Sequence, residues 1–375
     1  MRVGSRNPRL APWATVCRPL CGLKSSTNFW LRTLISIFHF PVSKVNEVSD
    51  RVAVAVIGVG EHGKKHARVL KQLAGADLVG VYDLRPEKAR EMAAELGVRA
   101  FANLDEVWKA ARAVTVVIPP SSHAEVAHEA FAHDVDVLLE KPITRTVEEA
   151  EEVTALAKSR GRILQVGHLE RFNPGVVAAK AITRRPLFFE IHRLCAFSPR
   201  SLDVDVVFDL MIHDLDLLLW MLDSEPCEVR AVGLPVLSDK VDIANARVEF
   251  ECGTVANITA SRASTEPIRK FRYFQPYDYV SIDFTRRDAT LLRVDNSSPT
   301  PRITFQKLET KPADPLQAEL EAFLESVRTR SAPLVGGLEG RRALALAERV
   351  MNCIEEHAGK VNVRLTRPVG QSGEM

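Results

Sequence analysis

Three glycines in one short loop restrict how the N-terminal half of this chain can fold. The segment Gly58-Val-Gly60-Glu-His-Gly63 follows an apolar, β-branched run, Val52–Ile57, and precedes a helix-like stretch over residues 64–73. An apolar run of that length is typical of a buried parallel strand. A second apolar strand, residues 78–82, ends at Asp83. Strand, glycines, helix, strand and terminal acid occur in the order and at the spacing of a dinucleotide-binding unit, and we predict one here.

The loop residues have predicted roles in binding the cofactor. Gly58 allows the tight turn, Gly60 lets the backbone approach a pyrophosphate, and Gly63 permits close packing of the helix. Glu61 and His62 lie between these glycines, at the helix N-terminus that faces the phosphates. We therefore predict that all five residues belong to the cofactor site.

Asp83 distinguishes between two forms of the cofactor. Its carboxylate should accept hydrogen bonds from the adenosine ribose hydroxyls, and it would repel a 2′-phosphate. Arg85 lies two residues further on and could hold that phosphate. The sequence favours NAD, with NADP as the alternative.

Strands and helices alternate up to about residue 170, which predicts an α/β Rossmann domain over residues 48–170. In such a sheet, ligands bind at the carboxyl ends of the strands. We expect the residues at these ends to line the cofactor site: Pro119, Ser121 and His123 after one strand, Glu140 and Lys141 after the next, and His168 after a third.

Residues 171–362 predict an α+β domain with a large, open, mostly antiparallel sheet. A helix at 176–182, a strand at 187–196 and a highly apolar helix at 206–222 come first. Closely spaced strands follow at 227–237, 241–250, 254–262, 269–274, 278–284 and 289–294, and helices at 315–329 and 338–357 close the domain. Because an open sheet needs a cover for its second face, we expect a homodimer or homotetramer formed through it.

The apolar helix at 206–222 carries a polar stripe of candidate catalytic residues. Asp209 and His213 are four positions apart and Asp216 is three further on, so a regular helix places all three on one face. A solvated surface stripe is the alternative, but most of the helix circumference is apolar and should be buried. No second cluster of His or Cys completes a metal site, and we expect no metal.

Lys141 is the expected partner of this stripe. It ends a strand of the first domain, and Pro142 prevents the strand from continuing. A partly desolvated lysine can transfer a proton or hold a reacting hydroxyl. The alternative is a lysine that pairs only with Glu140.

Together, the glycine loop, Glu140-Lys141-Pro142 and Asp209-x-x-x-His213 resemble the Gfo/Idh/MocA oxidoreductase family over about residues 50–360. The resemblance implies a Rossmann domain, an open-sheet domain and hydride transfer between a sugar or polyol carbon and NAD(P). It also implies that Lys141, Asp209 and His213 form the catalytic group.

Two stretches, residues 167–174 and 205–216, look like the branch that oxidises the 3-hydroxyl of UDP-N-acetylglucosamine-type sugars. Members of that branch supply a 3-keto sugar to an aminotransferase, including in lipid A and cell-surface sugar synthesis. Many family members have Gly-Gly ahead of the helix where this chain has Asp203-Val-Asp205, which leaves the exact sugar open. The predicted substrate-binding residues are His168, Arg171, Asn173, Asp209, His213 and Arg262.

A cationic segment offers separate but equivocal support for a phosphorylated substrate. Residues 252–277 contain Arg262, Arg269, Lys270 and Arg272 against one acid, Glu266. Guanidinium groups suit a diphosphate, and nearby tyrosines could stack on a uracil. Alternate basic and aromatic residues are equally common on an exposed strand without a ligand.

The charge of the chain is divided unevenly. The 50 basic and 48 acidic residues leave a net charge of +2, but residues 1–50 contain seven basic and two acidic residues, so the remainder is net acidic. That remainder has no run of Lys and Arg of the kind that binds nucleic acid. No segment approaches the roughly 18 consecutive apolar residues of a membrane span. We therefore expect neither nucleic acid nor a membrane as a partner.

The two ends of the chain and its cysteines complete the sequence evidence. Residues 1–47 could be a targeting peptide, a surface or partner-binding helix, or an extension outside the fold that a later translation start would omit. We exclude these residues from the fold. Residues 363–375 are treated as a tail. The six cysteines form no Cys-x-x-Cys pair, and a reducing cytoplasm is the expected location.

The sequence thus predicts an NAD(P)-dependent dehydrogenase that oxidises a ring hydroxyl of a UDP-sugar to a ketone. One alternative is a dehydrogenase of a free sugar or an inositol. Another is a non-catalytic NAD(P)-sensing regulator, although a sensor would not need Lys141, Asp209 and His213 together.

Overall fold

The computed structural model describes residues 51–197, 204–295, 300–362 and 365. The predicted extension over residues 1–47, Asp203 and, apart from Leu365, the predicted tail lie outside the described residues. None of the helices in these ranges combines the length and the apolar character needed to cross a bilayer.

The first part of the chain forms a parallel sheet of six strands in the order β3-β2-β1-β4-β5-β6. The strands are β1 (Val52–Ile57), β2 (Ala76–Tyr82), β3 (Arg99–Ala100), β4 (Ala113–Val116), β5 (Asp136–Glu140) and β6 (Leu164–Gly167). The helices between them are α1 (Glu61–Gln72), α2 (Pro86–Leu96), α3 (Leu104–Ala110), α4 (His123–Ala132) and α5 (Val147–Ser159). The strand order and the parallel pairing confirm the predicted Rossmann fold.

Burial on both faces explains why β1 is apolar throughout. Val54 and Val56 face a core that includes α1 and α2, whereas Ala55 and Ile57 face a second core with α3, α4 and α5. Alternate residues of a strand point to opposite faces, so both sets must be apolar.

The second part of the chain is an eight-stranded sheet with helices on one face. After α6 (Pro174–Ile182) and β7 (Phe188–Ala196), a π-helical segment, Val207–Met211, continues into α7 (Ile212–Leu222). The strands β8 (Pro226–Leu234), β9 (Ile243–Phe250), β10 (Val255–Ser264), β11 (Ile268–Gln275), β12 (Asp278–Asp283), β13 (Asp288–Asp295) and β14 (Arg302–Lys307) follow. The order is β14-β13-β12-β11-β7-β10-β9-β8, with β7 and β10 parallel and the other neighbours antiparallel, which confirms the predicted sheet.

The last two helices both pack against the first sheet, and the second of them also packs against the second sheet. Helix α8 (Pro315–Thr329) buries Leu320 and Phe323 in the core that contains α1 and α2. Helix α9 (Gly337–Lys360) places Leu344 in the other core of the first sheet and Val350 in the core of the second sheet. The predicted boundary at residue 170 stays a prediction, and elements beyond it pack against the first sheet.

Candidate active site

A cleft of about 560 Å³ runs between the carboxyl ends of β1, β5 and β6 and the start of the apolar helix. Its lining includes many of the predicted site residues: Gly60, Glu61, His62, Gly63, Glu140, Lys141, Asp209 and His213. Arg269 of the cationic segment also lines it, together with residues that the sequence did not single out for this site: Val117, Ile118, Gly167, Leu169, Glu170, Arg193 and Leu210.

The glycine loop has the shape that a bound pyrophosphate requires. Gly58 has a φ of +89°, which favours glycine. A Cβ atom on Gly63 would lie 1.9 Å from the Gly58 carbonyl oxygen, so only glycine lets α1 begin this close to the turn. A Cβ atom on Gly60 would meet no atom within 4 Å, because this residue faces the open cleft. The loop therefore fits a dinucleotide at the N-terminus of α1.

Asp83 lies directly after β2 and holds the glycine loop. Its Oδ2 accepts a hydrogen bond from Val59 N (2.9 Å), and its Oδ1 accepts one from Arg85 N (3.0 Å). The Arg85 side chain is mostly exposed, and its Nε lies 3.7 Å from Asp83 Oδ1. Both side chains thus lie beside the turn where the sequence places the adenosine ribose.

Glu140 forms a cluster with two histidines of α1. The Nε2 atoms of His62 and His66 lie 3.2 Å and 3.1 Å from Glu140 Oε1. Burial opposes ionisation of Glu140, but the two histidines outweigh it and hold its pKa well below the usual value. Within the described residues, one ligand atom from each of these side chains lies within 4.8 Å of the others. The expectation of no metal therefore stays a prediction.

Lys141 reaches across the cleft to the apolar helix. Its Nζ donates hydrogen bonds to the backbone oxygen of Asp209 (2.6 Å) and to Asp209 Oδ1 (3.3 Å). The Glu140 carboxylate accepts instead from the Lys141 backbone N (3.3 Å). The ammonium group is therefore oriented by Asp209, and the alternative of a lysine paired only with Glu140 does not describe this structure.

The helix that carries Asp209 begins differently from the sequence prediction. One regular helix was expected over residues 206–222, but Val207–Met211 is π-helical. The wider π turn changes the positions of the residues around the axis, and such segments are frequent at functional sites. Asp209 lies in this segment and presents both its carboxylate and its carbonyl oxygen to Lys141.

His213 lies in the first turn of α7 and lines the cleft. Its ring is nearly perpendicular to that of His168, with 6.3 Å between the ring centroids. Burial, and then the charges of Lys141 and Arg193, lower the pKa of His213 well below its usual value. The imidazole is therefore neutral near pH 7 and can accept a proton.

Asp216 is buried and does not line the cleft, unlike Asp209 and His213, the other two members of the predicted stripe. Its carboxylate is 1% exposed and receives two hydrogen bonds from Arg171, at 2.9 Å and 2.6 Å. His168 Nδ1 lies 3.9 Å from the same carboxylate, and burial lowers the pKa of His168. Arg171 and His168 thus form a buried group around Asp216, and the His168 ring lies beside that of His213.

Two more of the predicted substrate-binding residues have structural partners. Asn173 accepts from Gly175 N (3.1 Å) at the start of α6 and donates to Glu170 Oε2 (3.1 Å). Arg262 is buried, with its Nε 3.2 Å from Asp242 Oδ1, and it also contacts the Val204 carbonyl. Of the six predicted substrate-binding residues, Asp209 and His213 line the cleft, whereas the structure does not bring His168, Arg171, Asn173 or Arg262 into its lining.

His123 supports the cofactor side of the cleft from below. It is fully buried, and its ring nitrogens lie 3.0 Å from the carbonyl oxygens of Ile118 and Pro142. Burial lowers its pKa. His123 thereby connects the loop that holds Pro119 and Ser121 to the segment that follows Lys141.

A buried charge network beside the cleft was missed by sequence reasoning. Arg193 on β7 donates to both carboxylate oxygens of Asp214 (2.8 Å and 2.7 Å) and to Glu170 Oε1 (3.2 Å). Burial disfavours the charged guanidinium, but Asp214 and Glu170 raise the pKa of Arg193 above its ordinary value. Asp214, an acid on the otherwise apolar face of the predicted helix, was the sequence feature that could have indicated this network.

Known proteins resemble the chain in both halves. The sequence profile described as an oxidoreductase family with an NAD-binding Rossmann fold, GFO/IDH/MocA, matches residues 52–168. The profile of the GFO/IDH/MocA C-terminal domain matches residues 192–273.

Individual proteins also match over most of the chain. UDP-N-acetylglucosamine 3-dehydrogenase of Acidithiobacillus ferrooxidans is 40% identical over 303 residues, 80% of this chain and 96% of that protein. A solved structure of that enzyme superposes with a TM-score of 0.77 at 38% identity, covering 82% of this chain and 98% of the other. Myo-inositol 2-dehydrogenase of Thermotoga maritima is 25% identical over 336 residues, 84% of this chain and 99% of that protein. The chain belongs to the Gfo/Idh/MocA family of oxidoreductases.

Proposed function

We propose that this protein uses NAD to oxidise the 3-hydroxyl of UDP-N-acetylglucosamine, or of a close UDP-sugar, to a ketone. The observation that carries the proposal is the cleft in which Lys141, Asp209 and His213 meet the glycine loop. The 40% identity with a UDP-N-acetylglucosamine 3-dehydrogenase, over nearly all of that protein, supports this substrate above other sugars.

The cofactor would be held by the glycine loop and by Asp83. Backbone N–H groups at the start of α1 point toward the open space beside Gly60, where a pyrophosphate fits. The Asp83 carboxylate favours a free ribose hydroxyl over a 2′-phosphate, which is the reason to prefer NAD to NADP. When bound, the nicotinamide accepts the hydride that leaves the sugar carbon.

His213 is the proposed general base. Its lowered pKa keeps the imidazole neutral, which is the form that takes the proton of the reacting hydroxyl. Lys141 donates hydrogen bonds into the same cleft and would stabilise negative charge on the oxygen as the carbonyl forms. Asp209 positions the Lys141 ammonium group through two acceptor atoms.

An inositol or a free sugar is the alternative substrate. The resemblance to myo-inositol 2-dehydrogenase of Thermotoga maritima supports this alternative, although its 25% identity is lower than the 40% identity with the UDP-sugar enzyme. The proton chemistry of Lys141 and His213 would be the same, so the choice depends on the rest of the substrate.

A substrate panel tests the proposal. The full chain is incubated with NAD or NADP and with UDP-N-acetylglucosamine, other UDP-sugars, glucose or myo-inositol, and reduced cofactor is followed by absorbance. A carbonyl reagent is included so that an unfavourable equilibrium does not hide turnover. We expect UDP-N-acetylglucosamine with NAD to give the highest rate; a higher kcat/KM for myo-inositol or glucose would contradict the proposal.

Two lysine variants connect the reaction to the cleft. Lys141→Met should lower turnover by about 10²–10⁴-fold with NAD affinity retained. Lys158→Met is the matched control, because Lys158 is an exposed residue of α5. Equal turnover in the two variants would remove Lys141 from the mechanism.

Three broader expectations remain proposals. We propose a homodimer or homotetramer formed through the open face of the second sheet, where Phe188 stacks on Phe274 and Phe274 lies 5.1 Å from Tyr279 between ring centroids. Light scattering would test the mass. We also propose a cytoplasmic location, in agreement with the free thiols of Cys195 and Cys353, and an aminotransferase as the consumer of the 3-keto product.

A further inference from the structure

The four cations of the segment at residues 252–277 differ in whether they contact a carboxylate. Lys270 Nζ lies 2.6 Å from Asp283 Oδ2, and Arg272 Nη1 lies 3.8 Å from Glu190 Oε2. Arg262 is held by Asp242. Three of the four cations that the sequence offered for a phosphate are thus engaged with carboxylates of the same domain.

Arg269 differs from the other three. It is exposed and lines the cleft that also contains Lys141 and His213. Its Nη2 donates to the Cys195 thiol at 3.5 Å, which is a weak acceptor. Within the described ranges, this guanidinium group forms no direct ion pair, and its charge acts on the Asp214 carboxyl only at longer range.

The position of Arg269 on the sheet places it beside another arginine. Residues Arg269 of β11 and Arg193 of β7 are direct partners in the antiparallel register, so their side chains share one face. Like charges directly opposite each other are unfavourable. Asp214 and Glu170 form direct ion pairs with Arg193, whereas Arg269 interacts with Asp214 only over a longer distance and stays exposed at the edge of the cleft.

We propose that Arg269 binds the diphosphate of the sugar nucleotide substrate. This inference rests on the proposed function, and it assigns the substrate phosphates to the second domain, apart from the cofactor phosphates at α1. A planar guanidinium group can donate two parallel hydrogen bonds to one phosphate. An exposed arginine in the cleft that has no direct carboxylate partner is the group that such an anion would bind.

Titration calorimetry of the full chain in the presence of NAD tests the proposal, with UDP and uridine as probes. Arg269→Gln should weaken UDP binding by about 10- to 100-fold, because a hydrogen bond to a charged group is lost. Arg269→Lys should restore part of the affinity, since it keeps the charge but not the bidentate geometry. The affinity for uridine, which has no phosphate, should be equal in wild type and Arg269→Gln.

Arg272→Gln is the matched control, because Arg272 lies on the same strand but points to the opposite face and pairs with Glu190. Its affinity for UDP should equal that of the wild type. With UDP-N-acetylglucosamine, Arg269→Gln should raise KM and leave kcat nearly unchanged, since the diphosphate takes no part in the bond changes at carbon 3.

Two results would overturn the proposal, and they are distinguishable. If the wild type and Arg269→Gln bind UDP equally, only the assignment of Arg269 is wrong. If the wild type binds no UDP and oxidises an inositol or a free sugar, the proposed function fails and this inference fails with it.

Discussion

Alanine substitutions at two glycines of the cofactor loop should have different effects, one on folding stability and the other on NAD affinity. An alanine Cβ at position 63 would lie 1.9 Å from the Gly58 carbonyl oxygen. Carbon and oxygen atoms meet at roughly 3.3 Å, so α1 would have to retreat by about 1.4 Å. Overpacking of this kind typically costs 1–3 kcal/mol, and we expect Gly63→Ala to lower the free energy of unfolding by about 3 kcal/mol.

Gly60→Ala should have the opposite profile. A Cβ atom at position 60 meets no atom within 4 Å, and the backbone φ of −66° and ψ of −170° suit alanine. The free energy of unfolding should therefore change by less than about 0.5 kcal/mol. The added methyl group would project into the open cleft beside the helix N-terminus, and we expect NAD affinity to fall at least 10-fold.

The assay is urea unfolding of both variants without cofactor, together with titration calorimetry of Gly60→Ala with NAD. Wild-type NAD affinity in Gly60→Ala would refute the placement of the pyrophosphate at this glycine. Wild-type stability in Gly63→Ala would refute the close packing of α1 on the turn.

Three further predictions concern charge. Burial and nearby cations lower the pKa of His213, so the imidazole becomes protonated only at a pH below 6.5. The fall of kcat/KM on the acid side should therefore lie below pH 6.5. A fall that begins above pH 7 would indicate that another group is the base. Asp83→Ser should raise the NADP-to-NAD ratio of kcat/KM at least 10-fold, since it removes the repelling carboxylate next to Arg85. Unchanged preference would contradict the assignment. Asp214→Asn should lower the free energy of unfolding in urea by about 3 kcal/mol, because it leaves the buried Arg193 charge partly uncompensated; a loss below about 1 kcal/mol would contradict this.

The first sheet was predictable because its signals are local. The apolar run of β1, the glycine turn and the position of Asp83 each follow from neighbouring residues, and strand ends map directly onto one edge of a parallel sheet. Lys141 and Asp209 were predicted to meet, and their side chains do so at 3.3 Å.

Features that depend on tertiary pairing were not accessible in the same way. Arg193 and Asp214 come from different elements, and the sequence does not show that their side chains meet. Similarly, the composition of the cationic segment could not separate Arg262, held by Asp242, from Arg269, which faces the cleft. The pairing of Arg262 with Asp242 and the register that places Arg269 opposite Arg193 make that distinction, and both are properties of the assembled sheet.

The regular geometry predicted for the first turns of the apolar helix was wrong for a related reason. Its residues have the apolar pattern of a regular helix, and no proline or glycine marks the π-helical turn at Val207–Met211. The contact of Lys141 with the Asp209 carbonyl oxygen lies in that turn, and only the folded structure displays it. The roles of the site residues stay predictions that depend on the experiments above.

The most direct test of the central proposal uses UDP-N-acetylglucosamine with deuterium in place of hydrogen at carbon 3. The full chain is incubated with this substrate and NAD, and the reduced cofactor is examined by mass spectrometry. We predict that the reduced cofactor carries one deuterium atom and that Lys141→Met forms at least about 100-fold less of it. Reduced cofactor without deuterium, or deuterium transfer only from a substrate labelled at another ring carbon, would contradict oxidation at the 3-hydroxyl.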